Sequence, residues 1–129
     1  MVPVVTDDPA QPAALPTEDS YEFFTRTQRE RAPAWENQVT LRSVELFQGY
    51  EPGRFLPLIA PTPLQMVVAP YDRLVAGEAA TAAYEHAAHP KNLVTVPGGH
   101  FEAYTGPGFE ISSAAARDWF VEYLKPSKG

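Results

Sequence analysis

"NLVTVPGGHFEAYTG", residues 92–106, governs how the rest of the chain is read. Apolar, β-branched residues run into Pro97, then a double glycine, then His100. A short run of this kind, bounded by turn residues, predicts a buried strand over 92–98. Gly98 and Gly99 predict a turn that other residues resist, one that leans the imidazole back over the strand end. A second run, "PLQMVVA" at 63–69, has the same character and ends in the loop "YDRLVAG", which carries Asp72. Between the two runs, Ala80, Ala83, Tyr84, Ala87 and Ala88 fall on one helical stripe over about 78–88, and Pro90 closes it. Small side chains on that stripe let a helix lie close to a sheet. Strand, helix and strand within about 35 residues make a βαβ unit, whose strands are parallel and whose crossover is right-handed.

Two parallel strands are too few to stand alone. Parallel sheets are normally wider and covered on both faces, and two strands leave two open edges. The pattern predicts one end of a larger α/β sheet. Beyond the second strand, "GGHFEAYTGPGF" reads as a long loop in which Gly106–Pro107–Gly108 is a turn. It is not a phosphate loop, because it lacks the lysine and the glycine spacing. Ala116, Trp119, Phe120, Tyr123 and Leu124 then form one face of a helix over about 109–124, followed by the tail "KPSKG".

Upstream, Pro3, Pro9, Pro12 and Pro16 punctuate residues 1–16, which read as a proline-rich loop segment. A helix follows from Thr17 as N-cap, with Glu18 and Asp19 in its first turn and Arg26, Arg29 and Arg31 late, an order that suits the helix dipole. Pro33 ends it. A second helix is expected over about 34–49, with Val39, Ser43, Leu46, Phe47 and Tyr50 on one face and Leu41 and Val44 off it. A short turn near 55–59 leads into the first strand. The expected division is 1–16 as N-terminal segment, 17–60 as a helical region and 61–129 as the βαβα unit.

The chain has 129 residues, room for one domain, and 44% hydrophobic against 20% charged residues is ordinary for a globular protein. A net charge of −6 with scattered basic residues speaks against a nucleic-acid partner. There is no cysteine, so disulfides, thiol catalysis and cysteine-based zinc sites are excluded. "MVPVVTDD" has neither the basic region nor the apolar region of a leader peptide, and no apolar run reaches the roughly 20 residues of a membrane span. These features predict a cytoplasmic protein without a membrane partner.

Chemistry in open α/β sheets gathers at the carboxyl ends of the strands. Asp72 follows the first strand and His100 the second, so parallel neighbours deliver both side chains to one rim. A carboxylate there fixes the tautomer of an imidazole and stabilises it when it takes a proton. The plainer readings are a loop histidine that satisfies its neighbours and a turn aspartate. Asp7, Asp8 and Glu78 are the other carboxylates considered. His86 and His89 lie three apart on a helix, but no third histidine or carboxylate completes a metal set, and no metal or cofactor is expected.

"APTPLQMVVAPYDRLV" at 60–75 together with "PKNLVTVPGGHFEAYTGPGFEISSAAARDWFVEYL" at 90–124 resembles the C-terminal third of an α/β-hydrolase. The branch it is most similar to is the dienelactone-hydrolase and Xaa-Pro-peptidase-like group, which includes polyketide-transferase-like hydrolases. The resemblance implies that Asp72 is the triad acid, that His100 is the base, and that 17–60 corresponds to a helical cap-like insertion. In that setting Phe23, Phe24, Trp35 and Phe47 line a substrate pocket or serve as ordinary core. The family nucleophile sits in G-x-S-x-G, and none of Ser20, Ser43, Ser112, Ser113 and Ser127 has that context. Two expectations follow. One is the acid and histidine part of a serine hydrolase, inactive alone, acting on a small ester, thioester or amide once a nucleophile-bearing N-terminal half is supplied. The other is a non-catalytic, truncated remnant that binds a partner or a second copy of the chain through its open strand edge.

Overall fold

The computed structural model describes residues 1–124; the tail predicted at 125–129 lies outside the described residues. The chain falls into two compact units, Met1–Glu51 and the residues from Pro52 onward.

In the second unit, β1 (Leu64–Val68) and β2 (Lys91–Thr95) pair in parallel, with Met66 opposite Leu93 and Val67 opposite Val94. Backbone bonds extend the ladder at both ends, from Leu64 N to the Pro90 carbonyl at 3.0 Å and from Val96 N to the Val68 carbonyl at 2.9 Å. The crossover between the strands is α3 (Gly77–Glu85), which packs on β1 and on a 3₁₀ turn at Pro52–Leu58. The alanine stripe works as the sequence implies: Ala80, Ala83 and Tyr84 are half-buried and Ala87 is buried. The helix stops three residues short of the expected end, and Ala88 is exposed. Lys91 accounts for the stop. Its Nζ donates to the carbonyls of Tyr84 and Glu85 at 2.9 and 3.1 Å, and it sits 4.4 Å over the Tyr84 ring. A cation there satisfies the last carbonyls and opposes the helix dipole.

α4 (Gly106–Tyr123) begins three residues before the expected start at 109. Gly106–Pro107–Gly108 is therefore its first turn, where proline loses no hydrogen bond and its fixed φ suits a helix. The expected inward face also divides. Ser112, Ala115, Ala116 and Trp119 are half-buried, whereas Phe120 is 59% and Leu124 72% exposed. The segment read as a continuous loop before α4 contains a 3₁₀ turn at Glu102–Tyr104, against which α4 packs.

In the first unit, α1 (Glu18–Glu30) starts after Thr17 as expected, but the Thr17 hydroxyl pairs with the fully buried Ser20 hydroxyl at 2.6 Å and makes no bond to the helix backbone. α2 covers Leu41–Gln48, a shorter span than the expected 34–49. Residues 34–40 serve the N-terminal segment. The Asn37 side chain accepts from Val4 N and Val5 N and donates to the Val5 carbonyl, and Val39 bridges Val2 in antiparallel fashion. The proline-rich start is thus an ordered loop with Val5 as its anchor, 1% exposed. Thr40 then caps α2, accepting from Ser43 N at 3.0 Å. The expected face of α2 is outward: Leu46, Phe47 and Tyr50 are exposed, and Val44, expected off that face, is the half-buried residue.

Candidate active site

Asp72 and His100 lie just beyond the carboxyl ends of β1 and β2, and the structure brings them together. His100 Nδ1 is 2.8 Å from Asp72 Oδ2, across 28 residues of sequence. The two oxygens of the carboxylate have separate duties. Oδ1 accepts from Leu74 N and Val75 N, both at 2.8 Å, and so closes the turn after β1. Oδ2 is left to the imidazole. The Asp72 side chain is 10% exposed and the His100 side chain 24%. With Nδ1 donating to the carboxylate, Nε2 carries the acceptor lone pair, the arrangement a general base needs. His100 is flanked by Phe101 at 4.8 Å and Tyr104 at 6.0 Å, both edge-on.

Two glycines make this geometry. Gly98 has φ +105°, and a side chain there would press on Glu102. Gly99 is outside the left-handed region, so the first glycine of the pair is the one the turn needs. Gly77 opens α3 directly under the acid-bearing loop, where an added Cβ would stand 2.6 Å from the Ala69 carbonyl oxygen and 2.8 Å from that of Pro70.

The pair opens into a depression of about 480 Å³, bordered by Val67 and Ala69 of β1, Ala103 and Tyr104 of the turn, and Phe109, Ser112, Ser113 and Ala116 of α4. The α4 lining follows from a helix that starts earlier than its apolar spacing predicts and that turns Phe120 outward. Two serines border the depression, yet their hydroxyls are turned to backbone. Ser112 donates to the carbonyls of Ala103 and Phe109 at 2.8 and 3.1 Å, and Ser113 to that of Glu110 at 3.4 Å. A serine nucleophile gives its proton to the base, and these protons are committed elsewhere.

The other candidates are placed apart. Glu78 is exposed at the start of α3, and Asp7 and Asp8 belong to the first unit, where Asp8 Oδ1 accepts from Ala10 N. His86 Nδ1 lies 2.7 Å from the Ala82 carbonyl of its own helix. Among the described residues no group of three potential ligands gathers for a metal ion. In the first unit, Phe24 stacks on Trp35 at 5.3 Å and meets Phe23 edge-on at 5.7 Å, while Phe47 is exposed on α2. No helix among the described residues is long and apolar enough to cross a membrane.

No protein-family model and no curated protein sequence matches this chain. A solved structure does: the crystal structure of the alpha/beta hydrolase GrgF from Penicillium sp. sh18, with a TM-score of 0.73 over 95% of this chain, at 23% identity. The fold is that of an α/β hydrolase. Only 42% of the fungal chain is matched, so this chain spans less than half of its length. Asp72 and His100 lie at the carboxyl ends of the paired strands of that fold.

Proposed function

We propose that this chain supplies the acid and the general base of an acyl-transfer hydrolase of the dienelactone-hydrolase and Xaa-Pro-peptidase-like branch, with the nucleophile on sequence outside these 129 residues. The observation that carries the reading is the 2.8 Å bond between Asp72 and His100 at adjacent strand ends. Asp72 holds the ring and stabilises the imidazolium. His100 Nε2 takes the proton of an incoming serine hydroxyl as it attacks an ester, thioester or amide carbonyl, and returns it to the leaving group. The nucleophile and the donors that hold the developing oxyanion both come from the supplied part. Alone, the chain turns over no ester.

The test is a chimera in which this whole chain replaces the matched portion of the fungal hydrolase, assayed on p-nitrophenyl acetate. Turnover that falls on the order of 10³-fold or more in His100→Ala, with the fold unchanged by circular dichroism, is expected. Ser112→Ala and Ser113→Ala leave it unchanged. Ester hydrolysis by the isolated chain that is lost in Ser112→Ala or Ser113→Ala would overturn the reading. Hydrolysis by the chimera indifferent to His100 would do so too.

A further inference from the structure

Asp72 fixes one atom of the His100 ring. The bond from Nδ1 to Oδ2 is 2.8 Å long, and the His100 side chain is 24% exposed. A part-exposed imidazole can trade one such bond for water at small net cost, so the bond alone does not keep the ring from swinging outward. The backbone around it is already tied down. Glu102 N donates to the Gly99 carbonyl at 3.3 Å and Tyr104 N to the Phe101 carbonyl at 3.1 Å, so two successive turns enclose His100 and Phe101. The 3₁₀ turn Glu102–Tyr104 abuts the first turn of α4. Gly108 is buried there, and an added Cβ would stand 2.8 Å from the Glu102 carbonyl carbon. The freedom that remains at His100 is rotation of its side chain.

Two aromatic rings oppose that rotation. Side chains three apart in a 3₁₀ turn eclipse one another, which brings Phe101 and Tyr104 to one side. Their ring centroids are 6.2 Å apart. The imidazole closes the triangle, 4.8 Å from Phe101 and 6.0 Å from Tyr104. The planes are inclined by 73°, 63° and 53°, so the three rings meet edge-on or tilted, the geometry in which aromatic rings attract beyond the area they bury. Phe101 is half-buried, whereas Tyr104 is 56% exposed and borders the depression that holds Asp72 and His100.

We infer that Phe101 and Tyr104 are positioning residues for His100: the two rings hold the imidazole in the orientation in which Nδ1 meets Asp72 and Nε2 is presented to the reacting hydroxyl. Neither ring has to touch the substrate for this. Its consequence for turnover rests on the proposed function; the ring orientation itself does not. An aromatic pair of this kind favours the in-place ring by about two- to tenfold. A base must lie within about 3 Å of the proton it takes, so only the in-place fraction of His100 can act, and turnover follows that fraction.

The tautomer of His100 in the isolated chain reads this orientation, because the bond that Nδ1 makes to Asp72 sets which nitrogen carries the proton. The chain has three histidines, and His100→Ala assigns the signal in ¹⁵N NMR with the rings neutral. Phe101→Leu is expected to lower the ratio of Nδ1- to Nε2-protonated ring by about three- to tenfold, and Tyr104→Leu by about two- to threefold. Phe101→Tyr and Tyr104→Phe keep the rings and keep the ratio. The amide signals of Leu74 and Val75, which report the other oxygen of the same carboxylate, stay in place. In the chimera described above, Phe101→Leu lowers kcat by the factor seen in the ratio and leaves KM unchanged. A ratio unchanged in both leucine variants overturns the inference. So does a fall accompanied by shifted Leu74 and Val75 amides, which marks a general loosening of the loops. If Phe101→Leu unfolds the chain, Tyr104→Leu at its exposed position decides. A lowered ratio beside a chimera that hydrolyses nothing leaves the positioning role standing and removes the proposed function. Turnover that needs His100 but neither ring, with the ratio unchanged, does the reverse.

Discussion

The two ends of the β1–β2 sheet share one backbone ladder and differ in what their side chains are free to do. At the amino end, polar groups satisfy one another or the fold. Asn92 Nδ2 donates to Gln65 Oε1 at 2.9 Å, Lys91 closes α3, and Trp119 lies against Tyr123 at 4.4 Å. At the carboxyl end, Asp72 is fully used by two backbone amides and one imidazole, while that imidazole keeps a nitrogen directed to no protein group in the hydrogen-bond pattern of the described residues. One rim is finished and the other keeps one unspent nitrogen.

Four substitutions break or sharpen this contrast. The largest effect is expected from Asp72→Asn in the chimera with the fungal hydrolase. The amide oxygen still serves Leu74 N and Val75 N, but its NH₂ faces His100 and forces the opposite tautomer, so turnover falls on the order of 10⁴-fold with stability nearly kept. Asp72→Ala removes the turn acceptor as well, and chemical denaturation of the isolated chain is expected to show a loss of about 1–3 kcal/mol. Gly98→Ala forces a side chain into the left-handed region and against Glu102, for a loss of about 1–2 kcal/mol and a reduced Asp72–His100 coupling. At the amino end, Lys91→Ala costs about 0.5–1 kcal/mol through the exposed end of α3 and leaves turnover alone. If Lys91→Ala lowers turnover as much as Asp72→Asn does, the two rims are not functionally distinct.

Much of this was legible in sequence because it rests on local signals. The β-branched runs, the alanine stripe and the Gly98–Gly99–His100 turn each carry their own geometry, and parallel pairing then dictates that Asp72 and His100 meet. The misreadings come from contacts that a local pattern does not contain. The helix expected from residue 34 gives way because Asn37 and Val39 are engaged by Val2, Val4 and Val5, more than thirty residues away. The early start of α4 follows from Pro107 in its first turn, a position where proline favours a helix. The outward turn of Phe120 and Leu124 was hidden because periodicity finds an apolar stripe without saying what covers it. Here one stripe meets the sheet and a second does not.

The most direct test of the account is the tautomer of His100 in the isolated chain, read from ¹⁵N NMR of the histidine rings above their titration, with His100→Ala used to assign the signal. The account predicts Nδ1 protonated and Nε2 carrying the lone pair, and a switch toward the Nε2-protonated form in Asp72→Ala. An Nε2-protonated His100 in the wild-type chain, or a spectrum unchanged by Asp72→Ala, would contradict it.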